Sequence, residues 1–334
     1  MKKTSYAAVL LMLPAITMTH LVSADTLMDQ PYATATRQPL VQVYGLPDAQ
    51  GAELQSSEQS MFLFSLDVGN TFSSSIEGDR AIFLDGESYR ANFVWRQGIA
   101  ERWEVGFEVP YWLHDGGFLD GTVENFHDLF DLDNGNRELF SRDSLRYRYL
   151  DMNTSQVIYS LDDDAEGIGD VRLNLAYQLS EGQQEQWTVR TSLKLPTGDA
   201  GKLTGSESMD LAVALHYSNP QWLDESLVLH ASGGVLWMEG TDVIAQEHND
   251  IVWYGSSTVS WRWRDWVSWK VQLDAHTAFY DSPLKELGDP AVQLILGGTF
   301  RSSENTSFDF SISEDLIVNT APDVVFQLAL RTQL

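Results

Sequence analysis

The chain has 334 residues, with 48 acidic side chains against 21 basic ones, a net charge of -27 and no cysteine. That negative excess excludes a nucleic-acid partner on electrostatic grounds. The missing cysteines remove disulfide frameworks, thiolate chemistry and cysteine-bound metals together.

Lys2 and Lys3, the apolar run from Ala7 to Met18 and the small-residue site Val22-Ser23-Ala24 predict a secretory signal peptide over residues 1–24. Without it the count becomes 19 basic against 48 acidic residues, a net -29. No later stretch reaches the roughly 18 apolar residues of a membrane helix, so a membrane crossing must be made by strands. Residues 25–60 are polar and irregular, with Pro31, Pro39 and Pro47, and are expected either in the periplasm or inside a barrel.

From residue 61 to 334, twelve segments alternate apolar and polar residues with the period of two of a strand between lipid and water: 61–72, 88–98, 103–111, 168–180, 187–196, 207–218, 226–238, 251–263, 267–280, 290–301, 305–313 and 323–334. Trp103, Val105, Phe107, Val109 and Tyr111, for example, alternate with Glu104, Gly106, Glu108 and Pro110. One such segment would also suit a soluble sandwich. Two features favour a membrane barrel: the connections alternate short and long, and the tryptophans gather at the segment ends. Trp95, Trp103, Trp187, Trp222, Trp261, Trp263, Trp266 and Trp269 fall at the short-turn ends, and Trp112, Trp237 and Trp253 near the others. The prediction is an all-β protein, a single antiparallel transmembrane barrel of about twelve strands (10–14), with short turns in the periplasm and six loops outside.

In the run Trp261–Trp269, keeping Trp261, Trp263 and Trp269 on the lipid face requires an odd-length connection. A three-residue turn, Arg264-Asp265-Trp266, then sets Trp261 opposite Trp269. The second outward loop, an insertion over 112–167, is too long for a mere connection. Val123, Phe126, Leu129 and Phe130 predict a short amphipathic helix in it. The insertion holds thirteen acids against four arginines, read as a solvated surface, with divalent bridging to lipopolysaccharide as the sharper alternative. Asp162, Asp164, Glu166 and Gly167 match the opening of a calcium loop, but the twelfth position is Leu173, so ordinary loop acids are the preferred reading.

The predicted inward faces carry Arg90, Arg96, Arg172, Arg190, Lys194, Lys270 and Arg331 against Asp67, Glu104, Glu108, Asp210, Asp274 and Asp309. Such charges inside a barrel need partners. They either fill the interior with ion pairs or line a narrow polar pathway. His216-Tyr-Ser218-Asn219 is similar to the H-x-S-N motif of outer-membrane phospholipase A, but His216 and Ser218 fall on the inward face and Pro220 stands where that family has glycine. An enzyme is not the preferred reading, and no cofactor or metal is expected.

The runs YGLP at 44–47, GGFLDGTVENFHDLF at 116–130, GIGDV at 167–171, LKLPTGD at 193–199 and SEDLIVNTAPDVVFQL near the end resemble an uncharacterised group of Gram-negative outer-membrane barrels, a domain of unknown function similar to barrels of the phenol meta-cleavage pathway. The terminal leucine departs from the phenylalanine with which such barrels usually end. The resemblance implies an outer-membrane location, contact with lipid, lipopolysaccharide and the barrel-assembly machinery, and passage of small solutes, aromatic ones among the candidates. The function expected is a narrow passive channel. The alternative is a plugged, non-conducting structural or surface-interaction barrel.

Overall fold

The computed structural model describes residues 26–121, 124, 141–181, 185–316 and 320–334. The predicted signal peptide and the helical residues Val123, Phe126, Leu129 and Phe130 lie outside the described residues. Helical backbone is present at Asp120, Gly121 and Glu124.

The barrel is built from β1 (Ser60–Glu77), β2 (Arg80–Ala100), β3 (Trp103–Asp115), β7 (Arg172–Glu181), β8 (Gln186–Lys194), β9 (Asp210–Asn219), β10 (Leu227–Met238), β11 (Ile251–Arg264), β12 (Val267–His276), β13 (Ala291–Ser303), β14 (Thr306–Asp315) and β15 (Val324–Gln333). All neighbours pair antiparallel, and β1 closes the sheet against β15 from Met61 opposite Gln333 to Asn70 opposite Val324. The twelve predicted segments are thus the twelve barrel strands. The 112–167 insertion adds β4 (Arg146–Asp151), β5 (Gln156–Leu161) and β6 (Ala165–Ile168). β4 and β5 extend the sheet from the Arg80–Asp85 end of β2, and β6 continues it from β3, so much of that loop is sheet.

Alternation is strict where it decides which face meets lipid. On β12, Val271 is 49% and Leu273 40% exposed, whereas Lys270 is 2% and Gln272 0%. Moving a charge to the outer face at mid-strand should be costly: Val271→Lys is expected to lower unfolding stability by about 2–4 kcal/mol in lipid. Urea titration in vesicles measures it, and a loss below about 1 kcal/mol would contradict this placement.

The tryptophan hairpin keeps its predicted register by a different device. Trp261 faces Trp269 and Arg262 faces Ser268, but Arg264 already pairs with Val267. Trp263 is the extra residue of a β-bulge, and the turn is Asp265-Trp266 alone. The bulge supplies the odd residue that the three-residue turn was expected to supply. Trp112 is a second correction: it belongs to the even-numbered, inward set of β3, is 4% exposed and stacks on His114. The chain has eleven tryptophans, and this one is no girdle residue.

Residues 27–55 lie inside the barrel, and 56–59 turn exposed at its short-turn end. Helix α1 (Thr26–Asp29) starts at the short-turn end, where Ser260 and Ser268 bind Asp29. The chain rises to an apex over 38–44, begun at Pro39 and closed by Gln42 N–H donating to Gln38 O (2.9 Å). It then descends to the short-turn end, where Ser60 N–H donates to Leu334 O. Proline every eighth residue denies this hairpin a ladder of its own.

Around the apex, Leu40, Val41 and Tyr44 enter an apolar core with Ile82, Leu84, Tyr147, Tyr149, Tyr159, Leu203, Leu236, Phe279 and Tyr280. This core roofs the long-loop end of the lumen.

Candidate functional site, the occupied lumen

A buried peptide without a ladder must find partners for its carbonyls, and the barrel wall supplies them with its cations and amides. Arg331 donates to Pro31 O (3.1 Å), Gln272 to Tyr32 O (3.2 Å), Gln327 to Ala33 O (2.9 Å), Lys194 to Val43 O (3.2 Å) and Arg172 to Tyr44 O (3.2 Å). Arg190 and Arg96 both donate to Glu53 O, at 2.9 and 3.0 Å, and Lys270 donates to Gln30 O. In return the hairpin's own N–H groups find wall acceptors. Gly45 donates to Asp210 (2.7 Å), Ala52 to Ser218 Oγ (2.8 Å) and Gln55 to Glu104 (2.8 Å). At Gly45 a Cβ would lie 2.8 Å from the Cβ of Asp210, which is why the YGLP run has glycine there.

The same cations are paired with carboxylates, in clusters at successive depths. Glu104 binds Arg96 and Arg190, both at 2.7 Å, near the short turns. Higher up, Arg37 of the hairpin bridges Asp48 (3.2 Å) and Asp67 (3.0 Å), while Arg90 reaches Asp48 (2.9 Å), Asp67 (3.5 Å) and Glu108, which also holds Arg172 (2.8 Å). Toward the long-loop end Lys194 meets Asp170 (2.7 Å) and Asp210 (3.0 Å). On the opposite wall, Asp309 lies 3.5 Å from Lys270 and 3.4 Å from Arg331. Asp274 accepts from Thr34 Oγ1 (2.6 Å).

All ten lumen candidates therefore lie on the inner wall, and each touches the hairpin or a group that does. The hairpin's own members, Arg37, Asp48 and Glu53, were not singled out in the sequence. The only signal for them was an ionisable group in a proline-punctuated segment with no face to show.

Space remains on both sides of the hairpin. A cavity of about 50 Å³ lies between it and β7 to β13, lined by Ala212, Ala214, Ser232, Ser256 and His276. A larger one, about 190 Å³, lies toward the short-turn end against β1, β2 and β15. Asp48, Ala49 and Gln50 line both and so form the partition between them. Ala49 N–H donates to Thr34 O (2.9 Å), tying this partition to the rising leg. Ser65 Oγ and both polar side-chain atoms of Asn92 are buried with no hydrogen-bond partner among the described residues.

The remaining candidates fall elsewhere. Trp103, Trp261, Trp263 and Trp269 are exposed on the outer face at the short-turn rim, and Trp187 is half-buried there. Asp162 pairs with Arg148 (2.8 Å), and Asp164 and Glu166 are exposed. No group of three or more potential ligands is placed to hold a metal among the described residues. His216 turns to Gln50 O (3.0 Å) and does not touch Ser218, whose Oγ lies 2.7 Å from His230 Nδ1, deep in the lumen and away from lipid.

Nothing among the curated proteins matches this chain. Among solved structures, the COG4313 outer membrane channel from Pseudomonas putida F1 is similar with a TM-score of 0.54 at 12% identity, over 84% of this chain and 97% of that one. NanC porin gives 0.47 at 7%, over 82% and 100%. The Pseudomonas putida toluene transporter TodX gives 0.39 at 10%, over 92% and 94%. The first likeness establishes the shared fold, that of an outer-membrane barrel. With a family model matching residues 9–334, the chain belongs to the family described as protein of unknown function, DUF3187.

Proposed function

We propose that this protein is an outer-membrane channel for small solutes, held shut by its own N-terminal hairpin. The observation that carries this reading is the nature of the contact between hairpin and wall. Below the apex it is made of hydrogen bonds and ion pairs beside cavities, not of continuous apolar packing. Each such hydrogen bond exchanges for one to water at a net cost of about 0.5–1.5 kcal/mol, or about 1.5–3 kcal/mol where one partner is charged, so a local shift of Ala49 and Gln50, with Asp48 still held by Arg37 and Arg90, is accessible where extraction of an apolar plug would not be. On this reading the long loops face the exterior of a Gram-negative cell, and the outer face of the wall meets lipid and lipopolysaccharide.

A second reading, a permanently plugged structural barrel, draws on the apolar roof around Leu40 and Tyr280. Planar-bilayer recording separates the two. The full chain should show small, brief current steps. Because it has no native cysteine, Thr34→Cys with Ala49→Cys can fasten the partition to the rising leg: oxidation should abolish the steps and reduction restore them. A wild-type protein silent at every voltage and salt concentration would leave the plugged reading standing.

A further inference from the structure

We infer that the 190 Å³ chamber at the short-turn end is a solute-binding site, and that it takes a small uncharged molecule with one apolar face. The inference rests on the channel reading and names the class of solute. A space of that size would hold about six waters, or one compact ring-sized molecule.

Two features of its lining define the ligand. First, the inward faces of β1 and β2, polar at Ser65, Asp67, Arg90 and Asn92, turn apolar here. Met61, Leu63 and Val94 form a buried cluster with Ala33 and Ala329, and four of these five line the chamber. Opposite them stand the amides of Gln30 and Gln55, each able to present a donor or an acceptor.

Second, every ionised group on the lining is already engaged. Arg96 is held by Glu104, and Arg331 by Asp309 and Pro31 O. Asp48 is held by Arg37 and Arg90, Glu108 by Arg90 and Arg172, and Glu53 accepts from Gln30 (3.0 Å). An anion would lose its hydration and find no free counter-charge without breaking a buried pair, and a cation would find only Glu53, which it would have to take from the Gln30 amide while losing its own hydration. An uncharged one loses only apolar hydration on one side and exchanges one or two hydrogen bonds on the other.

The test uses the full chain in lipid nanodiscs, with methionine methyl groups labelled and the Met61 signal followed by NMR. Cyclohexanol, cyclohexanecarboxylate and cyclohexylammonium share one ring and differ in charge. Cyclohexanol should shift the Met61 methyl saturably, and the two ions should need at least about tenfold higher concentration for any comparable effect. Val94→Phe, or Leu63→Phe should the first not fold, fills the chamber and should weaken the alcohol at least about tenfold.

The inference is overturned if either ion binds as well as the alcohol, if no probe gives a saturable shift, or if a folded filled variant responds like wild type. Binding is read at equilibrium and needs no current. A silent bilayer with intact binding therefore counts against the channel alone, and conduction without binding counts against the chamber alone.

Discussion

Deleting residues 26–57 is expected to leave a barrel that still folds and that conducts at least about tenfold more than the full chain. Folding should survive because the ladder closes through β1 and β15 without help from the hairpin. The wall charges also keep partners among themselves: Glu104 with Arg96 and Arg190, Glu108 with Arg90 and Arg172, Asp210 with Lys194, and Asp309 with Lys270 and Arg331. The emptied lumen should therefore be nearly neutral and discriminate weakly between cations and anions. Removing Leu40, Val41 and Tyr44 also takes the centre out of the roof at the long-loop end. Unchanged current from a correctly folded deletion would mean that the loops alone seal the barrel, and the hairpin would lose its role as gate.

The strands were legible because lipid outside and water inside impose a period of two on every segment, and that pattern is local. The same parity already placed Trp112 inward, among Glu104, Glu108 and His114, and should have outweighed its position near a strand end. Residues 26–59 were not legible for the opposite reason. Their backbone is recognised by side chains up to 304 positions away, as in the contact of Arg331 with Leu27 O, and peptide carbonyls carry no sequence signature. What could be read was the demand side: seven cations on an inner wall, five of them arginines with five donors each, together offer more donors than six carboxylates of about four acceptor sites each can take. A second set of acceptors inside the barrel was implied by that excess. The bulge at Trp263 was hidden because parity fixes only whether a connection is odd, and a turn plus a bulge is odd too.

Arg90 is the point where wall and hairpin are most tightly joined, and Arg90→Met is expected to destabilise the folded barrel by about 3–5 kcal/mol. Its side chain is 1% exposed, and its guanidinium reaches three carboxylates and lies 5.7 Å from the centre of the Trp112 ring. Methionine matches the stem but leaves Asp48 and Asp67 to Arg37, and Glu108 to Arg172, with excess negative charge shut in a small volume. Arg90→Lys should recover only part of the loss, since an ammonium on one stem cannot replace a planar fork that contacts acids on different elements.

Asp48→Asn alone should cost less, about 1–3 kcal/mol, because Arg90 keeps two acids. Combining Arg90→Met with Asp48→Asn should then be less harmful than the sum by at least about 1 kcal/mol, the second change removing a charge that the first has stranded. Urea unfolding in vesicles, followed by tryptophan fluorescence, gives all three values. Strict additivity would mean that Asp48 and Arg90 do not sense one another. The partition between the two cavities would then be held by Arg37 at Asp48 and by the backbone contact of Ala49 to Thr34, and the gate would have to be sought there.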